Sequence, residues 1–385
     1  MIEEICFTAE WLDQKRRQLK TDPSLLERAL HAFALLGHLA ESGLDFVFKS
    51  GTSLLLHVPV IRRLSIDIDI LCAAPAAELE KVLGEVAVVP PFIRFEEDER
   101  GARGLPARRH FKFFYPPLFP GNPNPFVFLD VVEESHVPHD IVTRTITPDI
   151  LQIRREIPVQ VPTVESLLVA DKLTAFAPRT TGVPFTPPNG RPADTMQIMK
   201  QLFDIGELFN VAEDLVAVRR VYQQVFELEC GYRGGNFSHR EALDDTFDAA
   251  LHLSRHGLKG VAATHEAQLL EDGRKRLLSH LVNHNFNLDA ARLAAAKAAL
   301  LSRLILRDGQ DDSLSHWRTL PAIEVIGGLT IDGAWDRLQR LKGTAPDAFY
   351  YWYQAAKLQH SFIDNRNFSR SGTQGNRVEV VLQDG

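Results

Sequence analysis

The sequence predicts an α+β fold: a mixed sheet with covering helices in the first half, then a half built almost entirely of helices. Three observations carry this reading. Short apolar or alternating runs with strand character recur between residues 46 and 162. Past Thr163 the apolar residues fall instead at helical spacing. At the centre of the strand-rich half stands Ile66-Asp67-Ile68-Asp69-Ile70, whose period of two places both aspartates on one face of a strand. The change of pattern divides the 385 residues, more than one ordinary core usually organises, into a unit at 1–205 and a helical unit at 206–385.

Residues 23–42 carry Leu25, Leu26, Leu30, Phe33, Leu36 and Leu39 at helical spacing, an amphipathic helix suited to cover a sheet face. Residues 46–49 form a strand, 52–57 a short helix and 65–72 a second strand, and 75–86 is a helix with proline in its first turn. Strands follow at 92–96, 109–115 and 126–132, and the Ile/Val/Thr-rich stretch 144–162 holds one or two more. Residues 163–176 form a helix capped by Thr163. The stretch 178–192 is too rich in proline and glycine for a regular element, and with Arg179 and Arg191 it is a candidate lid. Helices are predicted at 193–210, 213–229, 240–256, 262–280, 288–307 and 346–363. From Asn365 the chain reads as a polar tail with a short edge strand at 378–382.

Composition narrows the function. A net charge of −7 argues against a general nucleic-acid coat, although a local basic groove is compatible with it. Three cysteines, without CxxC or Cys/His spacing, fit a reducing cytoplasm better than a disulfide framework or structural zinc. No signal-peptide pattern opens the chain and no run approaches the roughly 20 apolar residues of a membrane span, so no membrane partner is expected. The absence of HExxH, GxSxG, Walker A and GxGxxG weakens the zinc-hydrolase, serine-hydrolase, P-loop and Rossmann readings.

The chemistry concentrates between Lys49 and Asp204. Lys49-Ser50-Gly51-Thr52-Ser53 ends one strand in a small-residue turn, which either caps an ordinary helix or holds a phosphate on its N–H and hydroxyl groups. Asp67 and Asp69, two residues apart on a strand, repel by roughly 2.5 kcal/mol at an effective dielectric of about 20. A divalent cation between them relieves that cost, and Mg²⁺ is the hard cation that such carboxylates suit. An edge strand defending itself against aggregation is the plainer alternative. Asp130, a lone acid in Val127-Phe128-Leu129-Asp130-Val131-Val132, is either the candidate third carboxylate for a pair of metals or a strand end reaching solvent ahead of Glu133 and Glu134. Lys172 lies beside a buried helical stripe, where it either snorkels to water or reaches an anion. Lys200 and Asp204, four residues apart, read on their own as a surface ion pair. Arg108, Arg109, His110 and Lys112, like Arg274, Lys275 and Arg276, either contact a polyanion or, more plainly, form a solvated basic face.

Taken in order, these pieces resemble the AbiEii/AbiGii-type nucleotidyltransferase toxins, within the polymerase-β-like nucleotidyltransferase superfamily. The matching motifs are Lys49-Ser50-Gly51-Thr52, Arg63-Leu64-Ser65-Ile66-Asp67-Ile68-Asp69, Lys172-Leu173-Thr174-Ala175, and Lys200 with Asp204. Ser50 replaces the first glycine of the usual pair, and Gln201 stands where an acid commonly follows the lysine. The resemblance implies a polymerase-β-like sheet followed by a helical domain, and a Mg²⁺-dependent enzyme that moves an NMP from an NTP, ATP among them, to an acceptor. It assigns catalysis to Asp67, Asp69, Asp130 and Lys172, and metal binding to the three aspartates. Nucleotide binding falls to Lys49, Ser50, Gly51, Thr52, Ser53, Arg63, Ser65 and Asp204, with Arg63 and Ser65 either orienting phosphates or bracing strands. A tRNA 3′ end is the leading acceptor and a protein hydroxyl the alternative; a cognate antitoxin is the implied partner. The competing class is a degenerate, non-catalytic nucleotide-binding module, against which the intact Asp67/Asp69 pair argues.

Overall fold

A computed structural model of the chain describes residues 1–98, 107–121, 123–133, 139–188, 190–232, 235–307 and 312–371. The strand-rich half folds as β1 (Val47–Lys49), β2 (Ile68–Leu71), β3 (Arg94–Glu97), β4 (Arg108–Phe114) and β5 (Phe126–Val132) in one sheet of order β1-β2-β5-β4-β3. All neighbours are antiparallel except β2 and β5, which run parallel. The Ile/Asp strand is therefore interior, as its apolar alternation requires. It is shorter than expected: the ladder begins at Ile68, so Asp67 sits at its mouth. A separate hairpin pairs β6 (Ile141–Thr145) with β7 (Pro158–Pro162).

One sheet face is apolar and closed. Phe48, Ile68, Ile70, Phe111, Phe113, Val127, Leu129 and Val131 are all buried, at alternate positions of four strands. The helix α2 (Pro23–Glu41), which follows α1 (Ala9–Leu19), packs over this face, capped by Asp22 accepting from the Leu25 N–H at 3.1 Å. Its His38 meets Phe92 edge-on at 6.2 Å, and Phe92 meets Phe113 at 5.7 Å. The other face carries the polar members of the same alternation.

Between the strands lie α3 (Ser50–Ser53), continued by a 3-10 turn to Leu56, and α4 (Ala76–Val86). The expected helix at 163–176 is less regular than its pattern suggests. It opens as α5 (Val164–Ser166) under the Thr163 cap, winds as a π-helix over Leu167–Leu173, and tightens to 3-10 at Thr174–Phe176. Single π turns of this kind are rare and concentrate at functional positions. Lys172 lies in that stretch.

The helical half comprises α6 (Thr195–Leu208), α7 (Leu215–Tyr232), α8 (His239–Arg255), α9 (His265–Leu277), α10 (Leu288–Leu306), the short α11 (Ser315–Arg318) and α12 (Ile323–Gly328), and α13 (Pro346–Ser371). The alanine-rich α10 is buried through nearly its whole middle, small side chains letting α6, α8 and α13 approach it closely. Position 205 falls inside α6, and one buried apolar cluster includes residues of both halves, from Cys6 to Leu358. The halves are also joined by main chain: Leu64 N–H donates to the His280 carbonyl and Val282 N–H to the Arg62 carbonyl, both at 2.9 Å. Helix α13 runs on past Asn365 to Ser371, where a tail was expected, because nothing in that stretch breaks it; the expected strand at 378–382 lies outside the described residues. Among the described residues no helix is long and apolar enough to cross a membrane.

Helix α6 reaches its place against α9 through Gly273. A Cβ there would stand 2.0 Å from the Thr195 carbonyl oxygen, a backbone atom that cannot swing aside. Gly273→Ala should lower stability by about 1–3 kcal/mol in a urea melt through this overpacking. Gly84→Ala, in the open on α4 with nothing within 4 Å, should instead raise it by up to about 1 kcal/mol.

Candidate active site

Strand register assembles the centre of the site. Lys49 is paired with Asp69, Asp69 with Asp130, and Asp130 with His110. Directly paired residues project from the same face, so these four side chains form one row across β1, β2, β5 and β4 on the polar face. All four are half-buried. His110 Nδ1 and Asp130 Oδ1 are hydrogen-bonded at 2.7 Å. The sequence reading gave His110 to a solvated basic face; the register instead places it beside the third carboxylate. Only the pairing of two strands, which a single sequence does not display, could have revealed that.

The turn after β1 is tied to the aspartate strand. Thr52 is buried, and its hydroxyl donates to the Asp67 carbonyl at 2.6 Å, so that proton serves the fold and not a ligand. Gly51 lies against the guanidinium of Arg63 and the hydroxyl of Ser65: a Cβ on Gly51 would come within 3.1 Å of Arg63 Nη2 and 3.2 Å of Ser65 Oγ. Ser53 is fully buried and Ser65 nearly so, and Ser50 opens the turn.

Arg63 is in turn clamped. It is 2% exposed, and its Nε and Nη2 donate to the two oxygens of Asp204 at 2.9 and 2.8 Å, while Nη1 donates to the Leu64 carbonyl at 3.1 Å. This fork fixes Arg63 against α6, a geometry that suits a bracing role. Lys172, 3% exposed, reaches the same carboxylate, Nζ to Oδ2 at 3.2 Å. The expectation that Lys200 and Asp204 form a surface pair is thereby corrected. Asp204 is 1% exposed and is the shared anion of Arg63 and Lys172, because α6 is packed on its Asp204 side against the sheet half and not turned to solvent.

Lys200 stands beside this cluster. Burial lowers its ammonium pKa to about 8; Arg63 and Lys172 push the same way, and Asp204 and Asp67 oppose them. His280, brought in by the main-chain pairing with Leu64, is likewise held below the usual imidazole range by burial and then by Lys200 and Arg63. Arg63 and Lys172 thus share one buried carboxylate behind the Gly51 turn, and Lys200 stands within the field of Asp204 and Asp67.

The 178–192 stretch is anchored at its start. Arg179 N–H, Thr180 N–H and the Thr180 hydroxyl all donate to Asp245 Oδ2 on α8 at 2.7–2.9 Å, and the Arg179 guanidinium pairs with Glu266 at 2.8 Å. Arg179 is therefore committed to the helical half.

Among the described residues no group of three or more His, Cys, Asp or Glu side chains is gathered closely enough to hold a metal alone. The donors present are nevertheless of the right kind. Asp69 and Asp130 are register neighbours with hard oxygen donors, and Asp67 opens the same strand. Mg²⁺ is ordinarily held by one or two carboxylates, with substrate phosphates and water completing the shell.

The family model described as "Nucleotidyl transferase AbiEii toxin, Type IV TA system" matches residues 34–300, which include every motif from Lys49 to Asp204. Among solved structures, MenT4, the nucleotidyltransferase toxin Rv2826c from Mycobacterium tuberculosis H37Rv, aligns with a TM-score of 0.50 at 13% identity, over 90% of this chain and 99% of that one. JHP933 from Helicobacter pylori aligns with a TM-score of 0.39 at 14% identity, over 72% and 92%. No curated protein matches the chain significantly.

Asp204→Asn should destabilise the fold by about 3–5 kcal/mol in a denaturant titration, since Arg63 and Lys172 would stay buried without their anion. Lys200 gives a pH signature. Below pH 8 native and unfolded chains both hold its proton, and the cost of burying the charge is fully present. Between about pH 8 and 10.5 only the unfolded chain holds it, so stability rises across that window, by on the order of 3 kcal/mol before other groups are counted. Lys200→Met should be more stable than the parent at pH 7 and should lack this rise, as urea midpoints at pH 7.5 and 10 would register.

Proposed function

This chain belongs to the AbiEii family of nucleotidyltransferase toxins of type IV toxin–antitoxin systems, and from that membership we propose that it transfers an NMP from an NTP to the terminal hydroxyl of an RNA acceptor, with a tRNA 3′ end as the leading substrate. The observation that carries the reading is the in-register row Lys49–Asp69–Asp130–His110, set between the Gly51 turn and the polar face of β4. An ordinary charged strand face would not put two carboxylates side by side next to a buried cluster of cations.

The transfer forms a bond between the acceptor oxygen and the α-phosphorus and breaks the bond from that phosphorus to the β-phosphate bridge. Pyrophosphate leaves with the electron pair, and the hydroxyl proton passes to Asp130 or to water. Asp67, Asp69 and Asp130 would hold Mg²⁺, which when bound supplies charge neutralisation to the phosphates. Lys172 and Lys200 raise the positive potential where charge builds on the leaving group. Lys49 adds a cation at the near end of the row. Gly51 lets the turn lie flat on Arg63 and Ser65, so that the backbone of 51–53 can approach the β- and γ-phosphates. Arg63, held by Asp204, keeps that turn and the aspartate strand in fixed relation. A cognate antitoxin would oppose the activity by binding this chain or by modifying it.

Incubating the protein with each labelled NTP, Mg²⁺ and total RNA tests the proposal. Label should enter RNA, and Asp69→Ala or Asp67→Ala should reduce incorporation by roughly 10²–10³-fold or more, with Lys172→Met at the lower end. Growth arrest on expression should disappear with Asp69→Ala. NTP binding without labelling of any acceptor would return the chain to the non-catalytic class, and label confined to protein would replace the RNA acceptor with a protein hydroxyl.

A further inference from the structure

Beyond the carboxylate row, the polar face of β4 and β5 carries a set of side chains that the chemistry above does not use. On β5, Phe128 and Phe126 lie on the same face as Asp130, and their register partners on β4 are Lys112 and Phe114. Lys112 is paired across to Glu96 of β3, and Phe114 to Arg94. Phe126 and Phe128 meet edge-to-face at 4.8 Å, and Phe114 packs on Phe126 at 5.6 Å. Lys112 Nζ lies 5.4 Å from the Phe126 ring and 6.0 Å from that of Phe128, and the Arg94 guanidinium caps Phe114 at 3.5 Å. Phe126, Phe128 and Lys112 are half-buried, not closed off as the residues of the opposite sheet face are under α2. Two phenylalanines left at a sheet surface cost hydrophobic burial that a purely structural role would have recovered.

Their place in the sheet indicates what they serve. Continuing the β2–β5 register by one residue puts Phe128 level with Asp67, next to Asp130 on the same face and one strand further than Asp67 from β1 and the Gly51 turn. Phosphoryl transfer needs the attacking and leaving oxygens roughly in line. With pyrophosphate drawn toward the cations on the β1 side, the acceptor must arrive from the β5–β4 side, which is where these rings stand. We propose that Phe126 and Phe128, backed by Lys112, form a stacking platform for the unpaired bases at the end of a single-stranded RNA acceptor. This rests on the nucleotidyltransferase reading above and deepens it: every nucleobase offers a flat π-face to such rings, whereas a protein hydroxyl acceptor in general offers none.

The charges define the mode of binding. Lys112 is paired with Asp98 at 3.0 Å and Arg94 with Glu96, so the face is close to neutral and attraction to phosphates is limited. Affinity comes chiefly from stacking. It is indifferent to base identity and falls only gently with salt, unlike binding through many phosphate contacts.

The test is fluorescence polarisation with a short, dye-labelled single-stranded RNA, alongside transfer of label from NTP to the same RNA. Phe126→Ala/Phe128→Ala should weaken RNA binding by about tenfold or more and raise the KM for RNA, whereas Phe128→Trp should stay within about twofold of the parent. A duplex of the same sequence should compete poorly. If the parent transfers label to RNA and the double variant keeps the parent's RNA affinity and KM, the platform is wrong while the nucleotidyltransferase reading stands. A parent that neither binds the single strand nor labels it, or that labels only protein, removes both the platform and the RNA acceptor. Thermal melting and the Phe128→Trp variant separate lost stacking from lost folding.

Discussion

One buried carboxylate, Asp204, holds the turn and the cations beside the strand row. Asp204 receives a two-pronged guanidinium from Arg63 and an ammonium from Lys172, and all three side chains are almost wholly removed from water. An arrangement of this kind adds little net stability over a well-packed apolar substitute, because desolvation offsets most of the attraction. What it does supply is position. Arg63 sets the surface on which Gly51 rests, Gly51 leads into Thr52, and Thr52 is hydrogen-bonded to the backbone of Asp67. Through that chain of contacts the Gly51 turn and the aspartate strand are placed by a residue on α6.

The cations behind the turn gain from the same burial. In water, Lys172 and Lys200 would be screened within a few ångströms by solvent and salt. Buried beside Asp204, Lys172 is less screened and projects more field at the turn than it would in water. Burial is the main cause of the lowered pKa of Lys200, with Arg63 and Lys172 adding to it and Asp204 and Asp67 opposing.

Much of this was legible in the sequence, and the reasons differ by residue. The period-two run around Asp67 and Asp69 named its own strand and face, and Phe126–Val132 was readable to the residue, because alternation between apolar and polar positions is a local property. The helices of the second half declared themselves by apolar spacing in the same way. What could not be read were relations across the chain. His110 looked like a surface base until β4 was set in register with β5. Asp204, by contrast, was already drawn into the site by its motif, and only its buried clamp on Arg63 had to come from the fold. The π winding around Lys172 was also hidden, since its residues are compatible with an ordinary helix and only tertiary packing selects the wider turn. Local patterns name elements, and the active site is made of the contacts between them.

The distance along the chain between Arg63 and Asp204, 141 residues, has a consequence for the cell that makes this protein. Asp204 rides on α6, which is seated by α9 and α10, and Arg63 is flanked by main-chain bonds to residues 280 and 282. Contacts of such sequence separation close late, after the chain that supplies them has been made and the loop entropy overcome. A nascent or truncated polypeptide that already contains Asp67, Asp69 and Asp130 still lacks the clamp that fixes its phosphate turn. The turn beside Asp67 is therefore set only once α6 has docked.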